Sequence, residues 1–420
     1  MVDGNEYIFE NIDQALDYVL HQEQKDLAED RFRQQPPQII RCNDGCPLSV
    51  DSIDYPLTAF FNKVNDEKFV MTRLLSGRYS LKPNLKSRKF LFRGESEFHS
   101  PCRPSVFRKS KQKRYTAEMA RGQEMMLLML SHPLVQLLDM GIILKGTRYR
   151  FEMNLYGLTQ HYYNKSHFLD LTSDPRVACF FATSKYDSDQ DTYYPILDSS
   201  HEPGVLYYYS LDVNHDFTVD ENGQRSRLST IGLQVFPRSS RQKGFLYALM
   251  RGEDFNLVPR LHAVRFKHDP IIAQRIYDSF HGGTDLFPED ILQKHWKKYN
   301  SNPMVLSNRT VIANKIHNRN MTVKEVEEEF LSLGIKVENY RPKFTKEELD
   351  EYFTEVKYGD LWAEFCSRIH IPGDINGKMM SEMIELPKNP NYRWAFERDD
   401  VHIINPDEGW VMKRYKECLV

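Results

Sequence analysis

Three short segments of the chain carry the polar residues best suited to chemistry. They are Arg93-Gly94-Glu95, the stretch from 160 to 173, and the stretch from 238 to 245. The guanidinium of Arg93 presents a planar fork of donors that suits phosphate or carboxylate oxygens. The hydroxyl groups of Thr172 and Ser173 add donors and acceptors. These residue types favour an anionic or sugar-bearing ligand.

The sequence lacks the signatures of several large enzyme families. It contains no His-Glu-x-x-His and no Gly-x-Ser-x-Gly, and Gly282-Gly283 is not followed by the lysine of a phosphate-binding loop. Six cysteines occur in 420 residues, and no pair has the two-residue gap of a zinc knuckle. We therefore expect neither a metal site nor metal-dependent hydrolysis.

The overall charge gives little reason to bind nucleic acid or an anionic membrane. Lys and Arg number 56 against 59 Asp and Glu, for a net charge of -3. The apolar run from Met125 to Leu130 is far shorter than the roughly 20 residues of a membrane span. The first residues are acidic and lack the basic start of a signal peptide. These features predict a cytoplasmic protein without a membrane segment.

Two strands are predicted to position the candidate residues. Residues 89–93 alternate and stop at Gly94, which predicts a half-buried strand with Arg93 on the same face as Leu91. Residues 168–171 alternate in the same way, and the cap residues of Thr172-Ser173-Asp174-Pro175 predict a helix directly after them. We expect both strands in one sheet, with Arg93 and Thr172 at a shared cleft.

The flanking regions differ from this mixed centre. Residues 1–87 are predicted to form a mixed segment of helix and loop, and 88–298 a central domain. After about residue 300 the pattern turns helical, because Thr322 with Glu325 and Thr345 with Glu348 are two capping boxes. Residues 299–420 are therefore predicted to form a helical C-terminal region.

Several dispersed blocks resemble the FRG domain in order and spacing. The blocks are Phe92-Arg93-Gly94-Glu95, Pro104 to Arg108, Gln160-His161-Tyr162, Leu169 to Ala182, Arg241 to Phe245 and Asp285 to Asp290. The resemblance covers residues 88–298, about half of the chain.

The FRG pattern is in turn similar to that of ADP-ribosyltransferases of the arginine, Ser-Thr-Ser, glutamate type. This resemblance implies an α+β fold with a mixed, split sheet flanked by helices, and NAD as the substrate. It places Arg93 as the anchor of the dinucleotide, and His161 and Thr172 beside the ribose. The implied cofactor-binding residues are Arg93, Gly94, His161, Thr172, Ser173 and Gln242.

The sequence departs from the transferase pattern at Gly244, which stands where the catalytic glutamate would be. Glycine can neither hydrogen-bond the ribose hydroxyl nor stabilise an oxocarbenium-like transition state. If the chain is active, another acid must serve, and Glu124 and Glu95 are the candidates. His161 is a third catalytic candidate because imidazole transfers protons near neutral pH.

The resemblance implies an ADP-ribosyltransferase or NAD glycohydrolase, with a protein or nucleic acid as the acceptor in a transfer reaction. In a microbe, such an activity would suit a toxin or a phage-defence effector. Two other functions stay open. A non-catalytic nucleotide-sensing module would explain Gly244, and the basic loop 103–114 could grip nucleic acid. Its six cations are Arg103, Arg108, Lys109, Lys111, Lys113 and Arg114.

Each candidate residue also has a purely structural alternative. Arg93 could pair with a buried acid such as Asp170. His161 could be a hydrogen-bonded core histidine, and Glu124 could lie on a solvated helix face. Asp170 itself lies between Leu169 and Leu171, so burial with a partner is the alternative to catalysis.

Overall fold

The computed structural model describes part of the chain. The described residues are 7–29, 68–73, 78–85, 87–108, 112–132, 135, 138–139, 142–144, 147–162, 164–187, 190–212, 216, 227–299, 304–317, 321–345, 347–349 and 368–370.

These residues form α-helices, strands and three short 3-10 helices. The helices are α1 (Ile12–Glu29), α2 (Gln112–Leu130), α3 (Leu155–Gln160), α4 (Pro175–Thr183), α5 (Arg238–Arg241), α6 (Pro270–Ser279), α7 (Ile291–Tyr299), α8 (Asn308–His317) and α9 (Val323–Ser332). The strands are β1 (Ile8–Phe9), β2 (Phe69–Arg73), β3 (Tyr79–Pro83), β4 (Phe90–Glu95), β5 (Ile142–Leu144), β6 (Thr147–Tyr149), β7 (Phe168–Thr172), β8 (Ser184–Asp187), β9 (Thr192–Pro195), β10 (Gly204–Ser210), β11 (Leu228–Thr230), β12 (Gly244–Ala248), β13 (Leu261–Phe266), β14 (Val305–Ser307), β15 (Lys336–Glu338) and β16 (Ile369–His370). The 3-10 helices are Ser105–Phe107, Phe255–Leu257 and His281–Gly283.

The described residues fall into two compact units. The first lies within residues 1–76, 80–104 and 167–288, and the second within 77–79, 105–166 and 289–420. Compactness within one chain does not show which part folds by itself. The sequence-based division at 87 and 298 therefore stays a prediction. Across the described residues, no helix is both long and apolar enough to cross a bilayer.

The first unit is built on a mixed seven-stranded sheet. Its strand order is β1-β13-β10-β4-β7-β12-β11. β1 runs parallel to β13, and the other neighbours are antiparallel. The prediction that the strand carrying Arg93 and the strand ending at Thr172 share one sheet is confirmed, as β4 and β7 are neighbours. The architecture is α+β at this level.

Side-chain alternation gives the sheet two different faces. One face carries Phe90 and Phe92 of β4, which pack with α1, α4 and α6. The other carries Leu91, which packs with Leu171 and residues of the loop around Phe255. Both faces are apolar at their centres, so the sheet forms the middle layer of the unit.

Helix α1 is tied to the start of β4 by one buried carboxylate. Glu23 is fully buried. It accepts hydrogen bonds from the backbone amides of Lys89 at 2.7 Å and Phe90 at 2.9 Å, and from the Arg88 guanidinium at 2.9 Å. A buried charge is tolerated when its oxygens are paired and hydrogen-bonded. This contact fixes α1 over the sheet.

Helix α4 follows β7 directly, as the sequence predicts. The Asp174 side chain caps it by accepting a hydrogen bond from the Arg176 amide at 3.0 Å, and Pro175 occupies its first turn. The helix then crosses β4 at Gly94. A Cβ atom on Gly94 would lie 1.8 Å from the carbonyl oxygen of Ala178. Glycine at 94 therefore permits the close packing of α4 on the sheet.

The second unit combines α2 with elements that follow residue 288. Ala120 of α2 packs with Leu306, Val311, Val326 and Phe330. Both predicted capping boxes are present: the side chain and backbone of Thr322 exchange hydrogen bonds with Glu325, and those of Thr345 do so with Glu348. Strands β14 and β15 pair in parallel beside these helices.

The packing at Gly94 leads to a stability prediction. Gly94→Ala should lower the free energy of unfolding by about 3 kcal/mol, because the added carbon collides with backbone rather than with a movable side chain. Thermal or urea denaturation measures this loss. The control is Gly334→Ala, where no atom lies within 4 Å and the cost is only left-handed strain of about 1 kcal/mol. Equal losses in the two variants would contradict the close approach.

Candidate functional site

The candidate site is centred on an ion pair at the end of β4. The Arg93 Nε donates to Glu95 Oε1 at 3.0 Å, and Nη2 donates to the same oxygen. Nη1 donates to the backbone carbonyl of Asp170 at 2.8 Å. The side chains of Arg93 and Glu95 are only 13% and 15% exposed. The acid that pairs with Arg93 is thus Glu95, whereas the expected partner Asp170 accepts a hydrogen bond through its main-chain carbonyl.

The electrostatics keep Arg93 charged. Burial by itself would lower the pKa of Arg93, but the adjacent Glu95 carboxylate, with smaller effects of Cys102 and Asp170, raises it above its ordinary value. The mostly buried Arg93 side chain is therefore a permanent cation on this face of the sheet, and the Glu95 carboxylate balances its charge.

Tyr207 lies directly across the ladder from Arg93. Its hydroxyl donates to Asn256 Oδ1 at 3.0 Å, and the Asn256 side-chain amide donates to the His99 carbonyl at 2.9 Å. Burial, followed by the influence of Cys102 and Glu95, raises the pKa of Tyr207. The phenol is therefore a neutral hydrogen-bonding group beside the ion pair.

A second arginine shares this face of the sheet. Val205 pairs with Glu95 on one side and with Arg265 on the other, so the three residues form a row across β4, β10 and β13. The Arg265 guanidinium lies over the Phe98 ring, 5.6 Å from its centroid. Arg93, Glu95 and Arg265 thus form a charged cluster at one end of this face. We call this cluster the charged end of the sheet.

The predicted residues Thr172, Ser173 and Gln242 come together at the junction of β7 and β12. The Thr172 hydroxyl donates to the Gln242 carbonyl at 2.6 Å and accepts from the Asp174 amide at 3.0 Å. The Ser173 amide donates to the Lys243 carbonyl at 3.3 Å. The Gln242 side chain donates to the Leu286 carbonyl at 3.1 Å. These bonds hold the turn before β12 against the start of α4.

This junction also contains charged residues that sequence reasoning did not single out. Lys243 has a left-handed backbone, with φ at 46°. Its ammonium nitrogen lies 3.6 Å from an Asp174 carboxylate oxygen. Burial would raise the pKa of Asp174, but the hydrogen bonds from Arg176 and the charge of Lys243 outweigh burial and lower it. The aspartate that caps α4 is therefore ionised.

The expectation that Arg93 and Thr172 share a cleft is wrong. Thr172 is the ladder partner of Phe92, so its side chain lies on the same face as Phe92. Arg93 is the next residue along β4 and points to the opposite face. A register shift of one residue would have been needed to bring the two side chains together. Gly94 likewise lies on the face covered by α4.

A comparison with protein-family models identifies the domain. The FRG domain model matches residues 88–191, from the start of β4 through α4 and β8. The chain carries an FRG domain. Neither the curated proteins nor the solved structures include a match to this chain.

Two predicted residues of the FRG domain, Glu124 and His161, belong to the second unit. Glu124 is 1% exposed, so the alternative of a solvated helix face is wrong. Its carboxylate accepts hydrogen bonds from the Ser307 amide at 3.1 Å and from the hydroxyl groups of Thr310 and Tyr340. Burial raises the pKa of Glu124, and these bonds partly oppose the rise. Its role as an acid stays a prediction.

His161 is also buried, at the C-terminal end of α3. Its backbone amide donates to the Leu158 carbonyl at 3.1 Å. Asn164, three residues on, is likewise buried, so this segment is packed inside the second unit. The proposed catalytic or ribose-binding role of His161 stays a prediction.

Two other predicted features concern metals and nucleic acid. Within the described ranges, no group of three His, Cys, Asp or Glu side chains could hold a metal ion. In the basic loop, the side chains of residues 109–114 lie outside the described part of the structure. Nucleic-acid contact by this loop stays a prediction.

The geometry of Arg93 predicts a large structural effect of its removal. Arg93→Ala leaves the Glu95 carboxylate mostly buried without its guanidinium, which should cost about 3–5 kcal/mol of unfolding free energy. Chemical denaturation measures the change. The control is Arg227→Ala, which breaks an exposed pair with Glu253 and should cost less than about 1 kcal/mol. A loss for Arg93→Ala as small as that of the control would show that the pair is not structural.

Proposed function

We propose that the FRG domain binds NAD or another ADP-ribose compound at the charged end of the sheet, and that it acts on the bond between nicotinamide and ribose. The observation that carries this proposal is the Arg93–Glu95 pair, which places a guanidinium and a carboxylate side by side on one strand. Arg93 would bind the ligand's phosphate or ribose oxygens, and Glu95 would stabilise positive charge on the ribose.

The chemistry of the bond explains why both groups are needed. Nicotinamide leaves with the electron pair of the glycosidic bond, and the ribose carbon develops oxocarbenium-like positive charge. A carboxylate held close to that carbon lowers the energy of the transition state. Water then completes hydrolysis, or an acceptor nucleophile completes transfer.

Glu95 is the better candidate acid than Glu124. It shares its environment with Arg93, the proposed anchor of the dinucleotide. Both oxygens of Glu124 instead accept hydrogen bonds from residues of the second unit. We also propose that the sheet has the ADP-ribosyltransferase-like arrangement, because a strand carrying arginine neighbours a strand that runs straight into a helix. A toxin or phage-defence role would fit such an activity in a microbe.

A non-catalytic nucleotide-binding module is the second candidate function. The specific observation in its favour is that three donors of Arg93 already have partners within the domain. Gly244 pairs with Thr172 in the sheet and supplies no carboxylate. Such a module would bind an ADP-ribose compound without releasing nicotinamide.

The decisive variant is Glu95→Gln, which keeps the shape of the side chain and removes its charge. Nicotinamide release per folded molecule should fall by about 100-fold or more, because the transition state loses its carboxylate. Melting curves measure how much stability is lost when Arg93 has no charged partner. NAD affinity should change by a few-fold at most. The matched control is Glu253→Gln, an exposed acid that pairs with Arg227, and it should retain full activity.

The assay separates the candidate functions. Release in buffer alone indicates hydrolysis, and release that requires added lysate indicates transfer to an acceptor. Loss of turnover in Glu124→Gln with full activity in Glu95→Gln would move the acid to the second unit. NAD binding by the wild type without any release would favour the sensing module, and absence of binding would overturn the proposal.

A further inference from the structure

A groove of about 680 Å³ lies on the first unit, away from the charged end of the sheet. Aromatic side chains from three elements line it: Tyr7 and Phe9 at β1, Tyr18 of α1, and Tyr208 of β10. His262 and Arg260 come from β13 and the turn before it. The volume is in the range of sites that hold small molecules.

The groove and the Arg93–Glu95 pair occupy different places on the same sheet. His262 pairs with Tyr208, which packs on the face covered by α1 and α4. Arg93 and Glu95 are not among the residues that line the groove, and the row of Glu95 and Arg265 is at the other end of β13. A ligand in the groove would therefore not contact the proposed catalytic residues.

Two tyrosine rings and one imidazole of the groove are exposed. Tyr7 is 72% exposed and Tyr18 is 43% exposed. His262 is exposed and stacks on Tyr208, with 5.0 Å between centroids and 20° between planes. Tyr7 and Tyr18 each lie against Phe9, at 5.1 Å and 5.4 Å. These contacts hold flat surfaces open to the groove, and flat rings stack on such surfaces.

Hydrogen-bonding groups accompany these rings. Within the described residues, no side-chain hydrogen bond engages the hydroxyl groups of Tyr7 and Tyr18 or the imidazole of His262. β1 pairs with β13 only at Arg265 and Phe266. The edge of β13 from Leu261 to Val264 therefore has no strand beside it in the described part of the unit, and its main chain can offer donors and acceptors to a ligand.

The charges indicate a neutral ring rather than a phosphate group. Arg260 is the one guanidinium among the groove-lining residues, and its donors bind the carboxylate of Asp216, the Ser210 carbonyl and the Tyr209 hydroxyl. Its backbone is left-handed, with φ at 64°, and these contacts hold it in place. The Arg260 donors are thus used within the protein, and Arg260 does not form a phosphate-binding site.

We propose that this groove binds the planar ring of a nucleobase, with stacking on His262 and Tyr18 and hydrogen bonds from the tyrosine hydroxyl groups and the edge of β13. The site is independent of the proposed reaction on NAD. It would give the protein a second nucleoside-binding position, at the edge strand β13 of the sheet.

The test is titration of the full chain with adenosine and with uridine, with binding measured by saturation-transfer NMR. Ribose 5-phosphate serves as a probe that lacks a ring. We expect saturable binding of at least one nucleoside, and any binding of ribose 5-phosphate, which would occur at Arg93, should be unchanged by the groove substitutions. His262→Ala and Tyr18→Ala should each weaken binding by roughly 10-fold or more, as expected for loss of a stacking partner.

Tyr186→Ala is the matched control, because Tyr186 is an exposed tyrosine outside the groove. It should bind like the wild type, and melting curves should show that all three variants fold. Neither Arg93 nor Glu95 lines the groove, so failure of the NAD reaction would leave this result unaffected. The proposal is overturned if neither nucleoside binds, if binding survives both groove substitutions, or if Tyr186→Ala weakens binding equally.

Discussion

The close packing of α4 on β4 is the constraint on which the first unit depends. A Cβ at Gly94 would collide with the backbone of α4, so the helix reaches the sheet only because that position is glycine. Alternation then sends Phe90, Phe92 and Gly94 toward the helices and Leu91, Arg93 and Glu95 to the other face. Strand β4 thus provides both the surface on which the helices pack and two of the residues at the charged end of the sheet.

Burial determines how the charges of Arg93 and Glu95 affect stability. A guanidinium and a carboxylate on the middle strand of a sheet lose most of their hydration, and their mutual attraction offsets only part of that cost. Such a pair contributes little net stability, although removal of one partner is costly.

Glu124 shows the contrasting use of a buried acid. Its oxygens accept bonds from residues 307, 310 and 340, so one carboxylate joins α2 to the strand and helix that follow residue 304. The same unit buries Phe330 against Ala120. Glu124 thus connects distant segments of the chain, and its catalytic role stays a prediction.

The sequence by itself determined the features that depend on near neighbours. Alternation marked β4 and β7, cap residues and Pro175 marked the start of α4, and both capping boxes after residue 320 formed as expected. The spaced motifs also pointed to the FRG domain. These signals act within a few residues, so no distant partner is needed to interpret them.

Only the tertiary structure decided which side chains meet. The ladder pairs Phe92 with Thr172, which separates Thr172 from Arg93, and it sets Tyr207 opposite Arg93 from more than 100 residues away. The partners of Glu124 lie more than 180 residues along the chain. Strand register and helix packing minimise the free energy of the whole core, and a one-residue change in register reverses every face. Local sequence patterns carry no information about that choice.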